Sequence, residues 1–176
     1  MRKEKQNLEE VVIDPGTRAK FLAGILDKQT KLLQHLDSQT NILIGISSAM
    51  FAFMTAGFRL NNLSWPQIIL GFFSALTALL GLYAIHPPRF MRKKGQKESV
   101  MYSGKISDFS SPSIYKKELG NIVSDQNKML EQYSIEIYNV AKYYYDPKRK
   151  IFKIARNILL IGFFISIILF LAPLFS

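Results

Sequence analysis

The chain contains no cysteine, two histidines and one tryptophan in 176 residues. Without thiols there are no disulfides and no thiolate metal ligands, and cysteine usage carries no information about the redox compartment. The histidines, His35 and His86, lie far apart with no catalytic motif around either, so no catalytic residue and no metal set is expected. His35 reads as a helix-surface residue and His86 as an interface residue. Glycine-rich phosphate loops are also missing, since such a loop follows a strand and no convincing strand pattern occurs. The expectation is a protein that is not an enzyme and has no cofactor.

Acidic residues are scarce, 13 against 23 basic ones, giving a formal net charge of +10. Basic residues are not interleaved with stacking aromatics on a soluble module, so nucleic acid is not an expected partner. The opening MRKEKQNLEEVVIDPG is polar where a signal peptide needs an apolar core, and the apolar runs downstream are therefore expected in the mature protein.

Charge is absent from three of those runs, 41–58, 66–85 and 157–175. Each is close to the ~20 residues that span a bilayer's hydrocarbon as helix. None has the polar stripe of a soluble amphipathic helix. The absence of intramembrane charge removes support for a pump or coupled transporter. What remains is an all-α membrane protein, with three transmembrane helices whose long helices extend into a cytoplasmic helical bundle.

Basic residues near span ends are retained on the cytoplasmic side. Seven lie in 1–40, one in 59–65 and fifteen in 86–156, which places the N-terminus and the middle segment in the cytoplasm. The expected division is a cytoplasmic amphipathic helix (1–40), TM1 (41–58), an external turn (59–65), TM2 (66–86), a cytoplasmic helical module (87–156) and TM3 (157–175). Pro87 and Pro88 end the second span. Arg89, Arg92, Lys93, Lys94 and Lys97 then meet either anionic lipid headgroups or an anionic ligand.

Asp14 and Pro15 predict a helix start, after which Leu22, Ile25, Gln29, Leu32 and Leu36 recur at three and four. No breaker separates Leu36 from Ile42, so one rod should run from this helix into the membrane. Ser111 and Pro112 predict a second start. Tyr115, Leu119, Ile122, Gln126, Met129, Tyr133, Ile137, Val140 and Tyr144 then describe about 30 residues of helix, with Gly120 as the expected break and Asp146-Pro147 as the stop. Residues 88–111 read as a loop with room for one short helix.

Small residues recur at packing distances: Gly45, Ser48, Ala52 and Ala56 in the first span, Gly71, Ala75 and Ala78 in the second, Gly162 and Ser166 in the third. They allow close helix contact, either within one subunit or between copies in a homo-oligomer. In YNVAKYYYDPKRK, Lys142, Lys148 and Arg149 can pair a phosphate, while Tyr138, Tyr143, Tyr144 and Tyr145 can stack a base or anchor the chain at the lipid headgroups.

Five features in order give the chain a family likeness over residues 20–173: LDSQT (36–40) entering the first span, Pro88-Arg89 closing the second, SIYKKEL (113–119), IYNVAKYY (137–144), and KIFKIARNILLIG (150–162) entering the last. With these the chain resembles the transmembrane effectors of bacterial Pycsar antiphage systems. Where the family pattern carries Lys-Ala, this chain has Gln39-Thr40.

The resemblance implies a multi-pass protein of the bacterial inner membrane that responds to a cyclic pyrimidine nucleotide, cUMP or cCMP. The response impairs the membrane and stops the infected cell. Asp37, Gln39 and Arg89 are then expected to couple the helices, and the mechanism expected from the residues is that nucleotide bound near Lys142, Tyr145 and Lys148 repacks the helices over 17–36 and 113–144. Two other readings stay open: a membrane-bound scaffold without a nucleotide ligand, and a related effector gated by a cyclic oligonucleotide.

Overall fold

The computed structural model describes residues 15–58, 64–85 and 97–172, and every regular element among them is helical. In chain order these are α1 (Pro15–Phe58), α2 (Trp65–Ile85), α3 (Ser103–Ser107), α4 (Pro112–Val123), α5 (Gln126–Asn139), a π-helical segment (Val140–Tyr145) and α6 (Asp146–Leu171). Among the described residues three helices are long and apolar enough to cross a membrane, as the uncharged runs predict. Asp14, His86, Pro87, Pro88, Arg89 and the basic run after it lie outside the described residues.

α1 is the expected unbroken rod, with 44 residues reaching about 66 Å. Its inward stripe is Leu22, Ile25, Leu26, Gln29, Leu33 and Leu36, which continues as Thr40, Leu43 and Ser47. Leu33 takes the place that the spacing assigned to Leu32, whose side chain is turned outward. Positions three and four beyond Gln29 both lie near one face, and the placement of α5 selects the second. α2 starts at a capping box, in which the Gln67 side chain accepts from the Ser64 N–H at 2.9 Å and from its hydroxyl at 3.0 Å.

α2 runs antiparallel to both α1 and α6 and lies along each of them, while direct contact between α1 and α6 is slight. Lipid tails are as apolar as leucine, so burial of apolar surface does not drive this packing, and close backbone approach has to. The buried face of α2 is accordingly Gly71, Ser74, Thr77, Gly81 and Ala84. A Cβ on Gly71 would stand 3.2 Å from Met54 Cβ, and one on Gly81 2.5 Å from Ile44 Cγ1. On the other side a Cβ on Gly162 would collide with Phe73 Cβ.

In the long helices the buried hydroxyls are satisfied by carbonyls: Thr40 donates to Leu36, Ser47 to Leu43 and Thr77 to Phe73, each at 2.8 Å. Ser166 bridges helices, donating to the Pro66 carbonyl at 2.8 Å. Ser74 is the exception among the described residues, a fully buried hydroxyl with no partner.

The middle segment departs from the expected single helix in two places. Ser111 does cap α4, accepting from the Ile114 N–H. The break, however, falls at Ser124 and Asp125 and not at Gly120, because the Asp125 carboxylate accepts from the N–H groups of Asn127 (2.9 Å) and Lys128 (3.3 Å) and starts α5 afresh. An N-cap bonds its own amides, which outweighs the extra backbone freedom of one glycine.

Asp146-Pro147 does not stop the helix either. α5, the π segment and α6 form one continuous helix, Gln126–Leu171, of 46 residues. Proline lacks an N–H and crowds the carbonyl four residues back. The π segment widens the turn just before it, so that the Asp146 N–H bonds the Ala141 carbonyl, five residues back.

Two substitutions separate packing from polarity in the bundle. Gly162→Ala should lower the thermal midpoint of the detergent-solubilised protein, at a cost of about 1–3 kcal/mol from overpacking against Phe73. Ser74→Ala removes an unpaired buried hydroxyl and should leave the midpoint unchanged or raise it.

Candidate functional site

The aromatic and basic residues gather where the π segment joins α6 and both meet α1. Lys148 points toward α1 and donates to both carboxylate oxygens of Asp37, at 2.7 and 3.0 Å. The lysine side chain is 11% exposed and the aspartate 35%. This pair ties two elements 111 residues apart in the chain.

The neighbouring side chains face outward. Tyr138, Lys142, Tyr145 and Arg149 follow one another at four, three and four residues, with Tyr145 half-buried and the others exposed. Arg149 stands over the Tyr145 ring at 6.0 Å, a cation–π arrangement. Tyr138 meets Tyr143 edge-on at 5.9 Å, a contact five residues apart that the wider π turn permits. Two cations and two phenol rings thus share an open strip, with the chemistry to hold a phosphate and stack a base.

Positive charge dominates the strip. The Asp146 carboxyl is held below its ordinary 3.8, first by its hydrogen bond to Lys150 and against the opposing effect of desolvation. The charges of Lys150, Lys142 and Arg149 add to the lowering. Asp146 is therefore ionised at neutral pH, and its pairing with Lys150, at 2.8 Å, is lost only as pH falls through that lowered value.

A strap not legible in the sequence borders the site. Residues 97–100 run antiparallel to α5: the Lys97 carbonyl accepts from Asn139 at 3.1 Å, and the Val100 N–H donates to Gln132 at 3.0 Å. Ser99, fully buried, donates to Glu136, and Lys97 pairs with Glu131. The strap leads into α3, and Tyr102 beside it places its ring 6.2 Å from Tyr144 of the π segment. The usable signal was polarity out of place, since Gln132, Glu136 and Asn139 occupy positions that the helix turns inward.

The family model for the Pycsar effector protein domain matches residues 21–175. The chain belongs to the Pycsar effector family. Comparison with curated proteins and with solved structures gave no match. Family and helices together make it a multi-pass antiphage membrane effector.

Within the effector, the residues singled out by sequence divide among several places. Asp37 and Lys148 are bound to each other; Tyr138, Lys142, Tyr145 and Arg149 form the open strip. Gln39 faces away from this junction, its amide 3.1 Å from His35 on the α1 surface, and Arg89 is outside the described residues. Gly71, Gly162 and Ser166 sit in contacts between helices, and Ala75 is half-buried. Gly45 and Ala52 are on the outer face of α1, where a Cβ on Gly45 would meet nothing within 4 Å.

Asn139→Ala should detach the strap, because it leaves the Lys97 carbonyl unpaired beside a buried helix face. The expected cost is about 1–3 kcal/mol. Amide exchange over residues 97–107 should accelerate while the α2 and α6 amides keep their protection.

Proposed function

We propose that the effector senses a cyclic pyrimidine nucleotide, cUMP or cCMP, on the strip of Tyr138, Lys142, Tyr145 and Arg149, and that binding leads to loss of inner-membrane integrity. The observation that carries this reading is the strip's place in the fold. Two exposed cations, an exposed ring and a half-buried one lie on a helix that enters the membrane-crossing segment without a break. A cyclic phosphate would pair with Arg149 and Lys142, and the base would lie against the tyrosines. The protein performs no covalent chemistry; it converts binding energy into a change of helix packing.

In this reading the N-terminus and α3–α5 face the cytoplasm, where a nucleotide would be made. The outer face of α1, with Ser38, Asn41, Gly45, Ser48 and Ala52 exposed, meets further copies in a homo-oligomer. Because the chain has no cysteine, single cysteines at Lys20 and Asn62 test orientation directly. A membrane-impermeant thiol reagent applied outside sealed spheroplasts should label the second and spare the first.

The deciding experiment is thermal stability of the detergent-purified protein against cUMP, cCMP and a panel of cyclic oligonucleotides. One cyclic pyrimidine nucleotide should raise the midpoint, and Lys142→Glu/Arg149→Glu should abolish the rise while preserving the unliganded midpoint. A rise with a cyclic oligonucleotide alone would reassign the ligand. A second reading, a scaffold that binds a protein through α4 and α5, is favoured by the exposed Ile114, Val123 and Leu130. It predicts no shift with any nucleotide.

A further inference from the structure

The ion pair at the junction carries an inference about how the site is regulated, and it rests on the nucleotide reading above. We propose that Asp37 and Lys148 form a latch holding α1 against α6 in the resting protein, and that the phosphate of a bound cyclic nucleotide draws Lys148 away from Asp37.

Three observations place the latch here. First, Lys148 commits two of its three donors to Asp37, and the aspartate is one-third exposed, so water can solvate the carboxylate once the lysine leaves it. Second, Lys148 is adjacent in the chain to Arg149, whose guanidinium stands on the open strip over Tyr145. Neighbours one apart on a helix point in different directions, so Lys148 has to swing from α1 toward the strip to share a phosphate with Arg149. Third, α1 and α6 have little other direct contact, because α2 lies between them through the membrane-crossing part and α1 meets α5 and the π segment on the other side of the pair. The pair sits where the two rods begin to part.

Nothing interrupts either rod between the latch and its span: α1 is one helix to Phe58 and α6 one helix to Leu171. The π segment ends three residues before Lys148, and π turns inside longer helices recur at functional sites. Releasing Lys148 would let α1 and α6 change their tilt about α2 and pass the change into the membrane.

The exchange is not driven by charge alone. A cyclic phosphodiester and a carboxylate each carry one negative charge, so Lys148 gains nothing electrostatic by trading one for the other. The preference comes from Arg149 and Lys142 and from stacking on the tyrosines, which act only when the nucleotide is present. Breaking the latch should then strengthen nucleotide binding by the factor with which binding weakens the latch.

The test uses the full chain in phosphatidylethanolamine/phosphatidylglycerol vesicles loaded with a self-quenched dye, with cUMP and cCMP as probes. Asp37→Asn keeps the shape of the side chain and removes its charge. It should raise dye release without nucleotide by roughly fivefold or more, and tighten nucleotide binding by a similar factor. The charge swap Asp37→Lys/Lys148→Asp should bring basal release back toward the wild-type level and lose the nucleotide response.

Asp37→Asn vesicles as well sealed as wild type would overturn the latch even if wild type binds cUMP or cCMP tightly. So would a charge swap that leaks as much as Asp37→Asn. Wild type that binds neither nucleotide, alongside a leaking Asp37→Asn variant, would overturn the nucleotide reading and leave the latch standing.

Discussion

Backbone amides in hydrocarbon have no partners except one another, and the rest of this structure follows from that constraint. It requires the membrane-crossing segments to be helices that keep their hydrogen bonds throughout. Two of the three helices then extend past the uncharged runs as rods, α1 and the continuous Gln126–Leu171 helix. A rod that keeps its bonds through the span carries a tilt or rotation from one end to the other. The one disruption in the longer rod, Pro147, falls before the uncharged run, where a π turn absorbs it.

Without a hydrophobic drive between helices, contact depends on how closely backbones approach. α2 is built for this, with glycines, Ser74, Thr77 and Ala84 on the buried face. Most hydroxyls on this surface return to a carbonyl of their own helix, which hides their polarity and leaves packing as the main tie between helices. The arrangement is close but shallow, since few large side chains interlock. A bundle held in this way is suited to repacking, because one small-residue face can exchange for another of similar shape.

Charge does the complementary work at the junction. Asp37 and Lys148 tie the rods together in a partly exposed setting, where removing one partner costs roughly 1–3 kcal/mol, between the costs for surface and buried pairs. Arg149 and Lys142 remain on the outer strip beside them. One cation serves the fold while its neighbours stay open to an anion, so the two roles are divided along about two turns of helix.

From the order of residues alone follow the helical class, the three uncharged runs, the unbroken entry of α1 into the first of them and the family. Each rests on local pattern: runs without charge, helix starts at Ser111-Pro112, and short motifs in order. The tyrosine and lysine cluster was legible in the same way, as a local concentration of charge and rings. Packing in three dimensions was needed to show that Lys148 pairs with Asp37 across 111 residues, that Leu33 and not Leu32 faces inward, and that Gly45 faces outward while Gly81 packs. The strap at 97–100 belongs to the same class, since its polar bonds join residues more than 30 apart. Helical periodicity assigns a residue to a face; which face meets which neighbour depends on where the other helices lie, and that is a property of the packed chain.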